Sequence, residues 1–379
     1  MRDKKIFKTE LCDLLNIEYP IMLAGMGGLA GEGSCSKPKI VAAVSNAGGI
    51  GVLGATGLST DELRKEIREI KTLTDKPFGV DLLLPTSIKG APSVDMPVDE
   101  VKAKFLPKEN LKMIEAMKTK FGIPDAKVIE RMPFTEEYAR EQMAVMIEEE
   151  VPLFASALGI PDWVVPQAHE GNMKVLGLAG NVRTALKHKK AGADFIVAQG
   201  YEAGGHTGRI GTLVLIPLVV DAVAPTPVIA AGGIGDARGI VAALALGAIG
   251  VWVGTAFLFA EEANVPKEHH QLMIKSSEED TVICKYLTGK TARMVDNPLI
   301  KAMEESGVPP LPMPLQMLLM EDITKGMYNE KRFDLMCQPV GQIMGMLDKV
   351  KSAKEILDEM VEGVVKILNQ EFPKRLQVQ

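Results

Sequence analysis

The stretch Asp194-Phe195-Ile196-Val197-Ala198 runs directly into Gln199-Gly200-Tyr201-Glu202-Ala203-Gly204-Gly205-His206-Thr207-Gly208. The first half is a short apolar run bounded by turn-forming residues, which reads as a strand buried on both faces. The second half packs four glycines, an amide, a carboxylate and an imidazole into one loop. Glycine lets a backbone approach a ligand closely or take a positive φ, and the polar side chains would be costly to bury without partners. The stretch therefore reads as a ligand loop at the end of a strand, with His206 as its reactive group. A glycine-rich turn carrying a solvent-exposed histidine has the same composition, so the surrounding sequence has to decide.

Outward from this stretch the same unit recurs. Strand-like runs lie at 20–24, 49–54, 78–84, 151–157, 174–178, 194–198, 227–231 and 250–253. Between them lie helical patterns at 39–46, 60–71, 136–150, a short one from about Pro161, 182–190, 213–222 and 237–246, with Thr60 a candidate N-cap. Eight near-continuously apolar strands alternating with helices predict an α/β fold, a TIM (β/α)8 barrel. A doubly wound sheet is the alternative, because periodicity does not distinguish a closed sheet from an open one.

Two regions break the rhythm. Residues 85–134 are rich in Lys, Glu and Pro with two short helical patterns, and read as an insertion. Residues 263–349 carry many methionines and the run Pro309-Pro310-Leu311-Pro312-Met313-Pro314, and read as helical and loop-rich, with methionine clusters that suit an adaptable core more than a substrate pocket, though they also suit an apolar ligand. An amphipathic pattern at 355–370 is placed to return to the barrel, which is thus assigned 1–84, 135–262 and 350–379.

Composition narrows the function classes. A chain of 379 residues with net charge -6 offers no basic footprint for nucleic acid or an anionic membrane. The most apolar window, 212–231, is interrupted by Asp221 and by prolines 217, 225 and 227, so it is not a membrane span. The charged N-terminal residues do not resemble a secretory leader. Cysteines 12, 35, 284 and 337 form no CxxC pair, which points to a reducing, cytoplasmic setting. His269-His270 reads as a solvated surface pair rather than a metal site, and no metal is expected. Homo-oligomer formation is left open.

In a barrel, sites belong at the C-terminal ends of the strands. Gly232-Gly233-Ile234-Gly235 follows the seventh strand and Gly254-Thr255 the eighth, where barrels commonly build a phosphate site from backbone N–H groups. Gly25-Met26-Gly27-Gly28-Leu29-Ala30 and 49–54 formally match a dinucleotide fingerprint, but neither opens a helix nor has the acidic residue that pattern requires. Gly289-Lys290-Thr291 resembles the end of a P-loop, yet Cys284 stands where its first glycine belongs. A phosphate cradle beside loops offering an amide, glycines and an imidazole suits a phosphorylated planar cofactor, and flavin mononucleotide (FMN) fits. Asp81 and Gln199 are candidates to bond its ring, and the glycines of the first and sixth loops to let backbone near its face. Asp81 is equally placed to cap a helix or join an ion pair.

With these residues assembled, the chain resembles the nitronate monooxygenase family, formerly the 2-nitropropane dioxygenases. The resemblance is carried by Pro20-Ile21 with Gly25-Met26, by Ser45-Asn46-Ala47-Gly48-Gly49-Ile50-Gly51, by Pro77-Phe78-Gly79-Val80-Asp81, by the sixth loop from Gln199 to Gly208, by Ala230-Ala231-Gly232-Gly233-Ile234 and by Gly254-Thr255-Ala256-Phe257. It implies an FMN-bound barrel capped by a smaller, mainly helical domain, assigned to 263–349, with substrate between them, in which Gln199, Gly204, Gly233, Trp252, Val253, Gly254 and Thr255 contact the cofactor and His206 is the catalytic acid or base; Gly25, Met26, Asp81, Gly205 and Gly232 complete the candidate cofactor-binding set. It also implies a small-molecule substrate, an alkyl nitronate oxidised with O2 to a carbonyl compound and nitrite. Asp81 departs from the family, which usually has asparagine there, and the insertion exceeds that of shorter members. Flavin-dependent enoyl-acyl-carrier-protein reductases and NADH:quinone reductases share the signature, so NAD(P)H is the alternative co-substrate. A non-catalytic flavin-binding protein is a further alternative.

Overall fold

A computed structural model describes residues 7–27, 34–84, 98–126 and 135–376. Gly28 and the rest of 28–33, the terminal residues and parts of the 85–134 region lie outside the described residues.

Eight parallel strands form the central sheet: Ile21–Leu23, Gly51–Gly54, Phe78–Leu82, Leu153–Ser156, Lys174–Ala179, Phe195–Gln199, Val228–Ala231 and Gly250–Val253. The first strand pairs with the eighth, and a parallel bridge from Met22 to Ile50 joins it to the second, closing the barrel. The eight expected strands are all present, most trimmed by a residue or two at their ends.

The pleat explains why these strands read as unbroken apolar runs. Alternate residues face opposite sides: Met22, Val52, Leu153, Leu176, Phe195, Val197, Ile229 and Trp252 fill the barrel interior. Their neighbours, including Leu23, Leu53, Val80, Phe154, Val175, Ile196 and Val251, pack beneath the surrounding helices. The short helix Glu10–Leu15 puts Leu11, Cys12 and Leu15 into the interior cluster, and Thr9 Oγ1 donates to Ile249 O. That end is plugged, so the open mouth is the opposite one, at the strand C-termini.

The helix expected from residue 60 is capped by Ser59, not Thr60. Ser59 forms a capping box with Glu62 ahead of the helix Thr60–Leu73. The helix Ala353–Lys366 buries Leu357, Met360, Val361 and Val364 in the outer core of the barrel.

The region after the barrel is not helical alone. Strands Thr281–Cys284 and Ala292–Val295 form an antiparallel hairpin, and Gly205–His206 adds a third strand to it. The helix Lys108–Phe121 shares one apolar cluster with this hairpin and with the helices Pro298–Glu305 and Leu315–Asn329. Asn110 Nδ2 donates to Pro309 O at 3.0 Å and Arg332 donates to Phe121 O at 2.7 Å. The expected solvated pair His269-His270 is corrected: both are buried. Their Nε2 atoms pair with Phe333 O at 3.1 Å and Leu258 O at 2.8 Å, so the rings serve as hydrogen-bonded core. Among the described residues no cluster of His, Cys, Asp or Glu could hold a metal ion. No described helix is long and apolar enough to cross a membrane.

Candidate active site

One cavity opens at the barrel mouth beneath the cap, with about 1760 Å³ of empty space when its solvent-open entrance is included. Gly25, Met26, Asp81, Gln199, Gly204, Gly205, His206, Gly232, Gly233, Trp252, Val253, Gly254 and Thr255 all line it. Segments scattered over more than two hundred residues thus converge because each sits at or just beyond a strand C-terminus.

The sixth loop is held by its own polar side chains. Gln199 Nε2 donates to the carbonyl of His206, so the amide braces the loop, contrary to a role confined to ligand binding. Glu202 accepts the N–H of Thr212 at 3.0 Å and its hydroxyl at 2.7 Å, which directs that carboxylate to the start of the helix Thr212–Val223. A side chain at Gly204 has no room, since a Cβ there would lie 2.5 Å from Val340 C and 2.6 Å from Gly341 N. The cap backbone therefore rests directly on the loop. Gly341 N–H donates to Thr255 Oγ1 at 2.9 Å and Gln342 N–H to Glu202 O at 3.0 Å, which ties cap, sixth loop and eighth loop together.

His206 is partly exposed to the cavity. Its Nε2 lies 2.8 Å from Thr288 Oγ1, in the turn of the cap hairpin. The hydroxyl of buried Thr288 also receives the N–H of Lys290 at 3.3 Å. Burial, helped by the nearby Lys290 ammonium, pushes the imidazole from the ordinary 6.5 down to about 4. The ring is therefore neutral at physiological pH, able to accept a proton or donate a hydrogen bond. Arg293 anchors the same hairpin to the loop: it donates to Tyr201 O at 3.2 Å and Thr281 Oγ1 at 2.8 Å, with its guanidinium 4.7 Å from the Tyr201 ring centroid.

The cradle expected after strands seven and eight has the right character. Gly232 and Gly233 take positive φ of 87° and 71°, a turn that side-chain-bearing residues rarely adopt. The helix Thr255–Leu258 leaves its first N–H groups without intrahelical acceptors. No Lys or Arg lines the cavity among the described residues, so an anion here would rely on backbone donors. Asp81 is neither a helix cap nor an ion-pair partner among the described residues. It is 6% exposed and its Oδ1 has no hydrogen-bond partner. Gly289-Lys290-Thr291 falls in the hairpin turn, which accounts for the failed P-loop pattern.

Several cavity residues escaped the sequence reading. Thr288 lies 82 positions from the histidine it meets. Cys35, Tyr328, Met336, Cys337 and Gln338 also face the cavity. Only the methionine richness of the cap hinted at them.

The closed (β/α)8 barrel carries a cap-covered cavity with a neutral histidine at its mouth, the arrangement of a candidate active site. The chain belongs to the nitronate monooxygenase family, whose model matches residues 8–363. It is 38% identical over 378 residues to a Mycobacterium tuberculosis protein provisionally named a monooxygenase, covering 96% of this chain and 98% of that protein. It is 37% identical over 318 residues to a Staphylococcus aureus protein provisionally named a nitronate monooxygenase, covering 80% and 83%. Among solved structures, it resembles nitroalkane oxidase from Streptomyces ansochromogenes with TM-score 0.78 at 27% identity, covering 94% of this chain and 98% of that one. FabK from Thermotoga maritima gives 0.74 at 29% identity, covering 98% and 100%. The protein is an oxidoreductase of the nitronate monooxygenase type.

Proposed function

We propose that the protein binds FMN at the barrel mouth and oxidises alkyl nitronates with O2 to a carbonyl compound and nitrite. The observation that carries this reading is the convergence of the glycine loops, Asp81, Gln199 and His206 on a single cavity. The residues fit a flavin. Gly232, Gly233, Gly254 and Thr255 offer backbone donors for a phosphate, the apolar walls near Leu178 and Trp252 suit a ring system, and the unpartnered Asp81 Oδ1 awaits a polar atom. When bound, FMN supplies the electron-accepting ring. His206, oriented by Thr288, holds or takes a proton beside the substrate or donates a hydrogen bond to developing negative charge. The cap segment over Gly204 limits access of water. The test is reconstitution with FMN followed by nitrite release from a nitronate. A folded chain that takes up no FMN, or takes it up and releases no nitrite, refutes the reading.

A second reading, an NAD(P)H-dependent reductase acting on an enoyl thioester or quinone, is favoured by one observation. Met317, Tyr328 and Met336 of the cap line the same cavity, a largely apolar wall that suits an apolar acyl chain or quinone.

A further inference from the structure

Asp81 is the one carboxyl in the cavity wall for which the described structure offers no counterpart. It is the penultimate residue of the third barrel strand, and its register neighbours on the adjoining strands are Gly54 and Ala155, neither of which has a side chain able to hydrogen-bond. Gly25 closes the remaining side, where an added Cβ would lie 2.6 Å from Asp81 Oδ2. The other titratable groups on the cavity wall are Cys35, Glu202, His206, Tyr328 and Cys337, and none of them bonds to it. No lysine or arginine faces it from the described elements. A bare carboxylate so placed is expensive, whereas a carboxylic acid is neutral and has one O–H to give. Burial alone drives its ionisation well above the ordinary carboxylate range.

We propose that Asp81 is present as the neutral carboxylic acid and donates a hydrogen bond to an acceptor atom on the cofactor ring, so that loss of this proton loosens the cofactor. The proposal rests on the flavin reading above. An acid kept neutral by its surroundings serves as a hydrogen-bond donor, and it also keeps negative charge away from a ring that gains electrons during turnover. The linkage has a definite sign. The bound state holds the proton more tightly than the empty cavity, so FMN affinity is full at low pH and falls as pH rises through the ionisation of the empty site.

The experiment measures free FMN by ultrafiltration with the apo protein, wild type and Asp81→Asn, from about pH 6 to about pH 9, a range above the ordinary carboxylate pKa. Circular dichroism at each pH checks that both chains stay folded. The expected result is a wild-type Kd that rises by up to tenfold per pH unit in the alkaline part of the range, while Asp81→Asn, neutral at every pH, stays flat. Profiles that are flat in both chains, or that rise in parallel, overturn the proposal and leave the flavin reading intact. No uptake by either folded chain at any pH overturns the flavin reading itself. Infrared spectroscopy of the apo chain adds a readout independent of FMN: a carboxylic-acid carbonyl band at neutral pH that disappears in Asp81→Asn is expected, and its absence from wild type overturns the proposal.

Discussion

Thr288→Val tests whether the cap hairpin orients the imidazole of His206, the proposed acid or base. Valine keeps the branched shape of threonine and removes only the hydroxyl, whose oxygen lies 2.8 Å from His206 Nε2 and accepts the Lys290 N–H at 3.3 Å. Thr288 is 3% exposed but lines the cavity beside His206, so cavity water is the candidate replacement for the hydroxyl. The loss of one hydrogen bond costs about 1 kcal/mol, and the abandoned imidazole nitrogen adds about 1–3 kcal/mol if nothing replaces its partner. If roughly 1.4 kcal/mol of that falls on the transition state, kcat drops about tenfold. KM for the nitronate and FMN content should change little, because the hydroxyl meets the histidine and not the phosphate cradle. The assay is initial nitrite release with kcat and KM separated, alongside flavin absorbance per chain, and Thr288→Ser should recover most of the loss. A Thr288→Val enzyme with wild-type kcat and a wild-type pH profile refutes the orienting role.

His206→Ala should retain FMN and lose about 10²–10⁴-fold in kcat, the usual contribution of a positioned acid or base, as read by nitrite release at matched flavin content. Burial drives His206 and His269 from 6.5 to about 4, so both are neutral in the fold at neutral pH. Because the unfolded chain binds protons more readily between those values, stability is full above about pH 6.5 and falls as pH drops toward 4, by up to ~3 kcal/mol for His269; Tm against pH should decline over that window and decline less in His269→Gln. Gly204→Ala places a methyl 2.5 Å from Val340 C, so a cost of at least about 1–3 kcal/mol from overpacking is expected, with loosened cap closure visible as faster proteolysis near 338–342.

The barrel was legible because strands covered on both faces leave unbroken apolar runs such as 195–198 and 228–231, separated by helical periods. The N-cap of the helix Thr60–Leu73 is misplaced by one residue when read as Thr60, because it is Ser59, three residues before Glu62, that completes the capping box. Other features depended on distant partners. His269 and His270 are buried by Phe333 and Leu258, which adjacency in sequence does not reveal. The hairpin at 281–295 has only short strands, and its third member is two residues long, so local propensity carries almost no signal. The site split along the same line. Residues at strand ends could be placed by counting strands, whereas Thr288, Tyr328 and Met336 reach the cavity through cap packing. Asp81 was legible as a candidate, but its lack of a side-chain partner among the described residues required the register that sets it between Gly54 and Ala155.

The most direct test of the account is anaerobic mixing of the FMN-loaded protein with an alkyl nitronate, NADH or NADPH in separate experiments, while the flavin absorbance is followed. The account predicts bleaching by the nitronate alone, recovery of colour on admitting oxygen, and nitrite in the solution. Rapid bleaching by NADH or NADPH with no response to nitronate would contradict it and assign the cavity to a reductase.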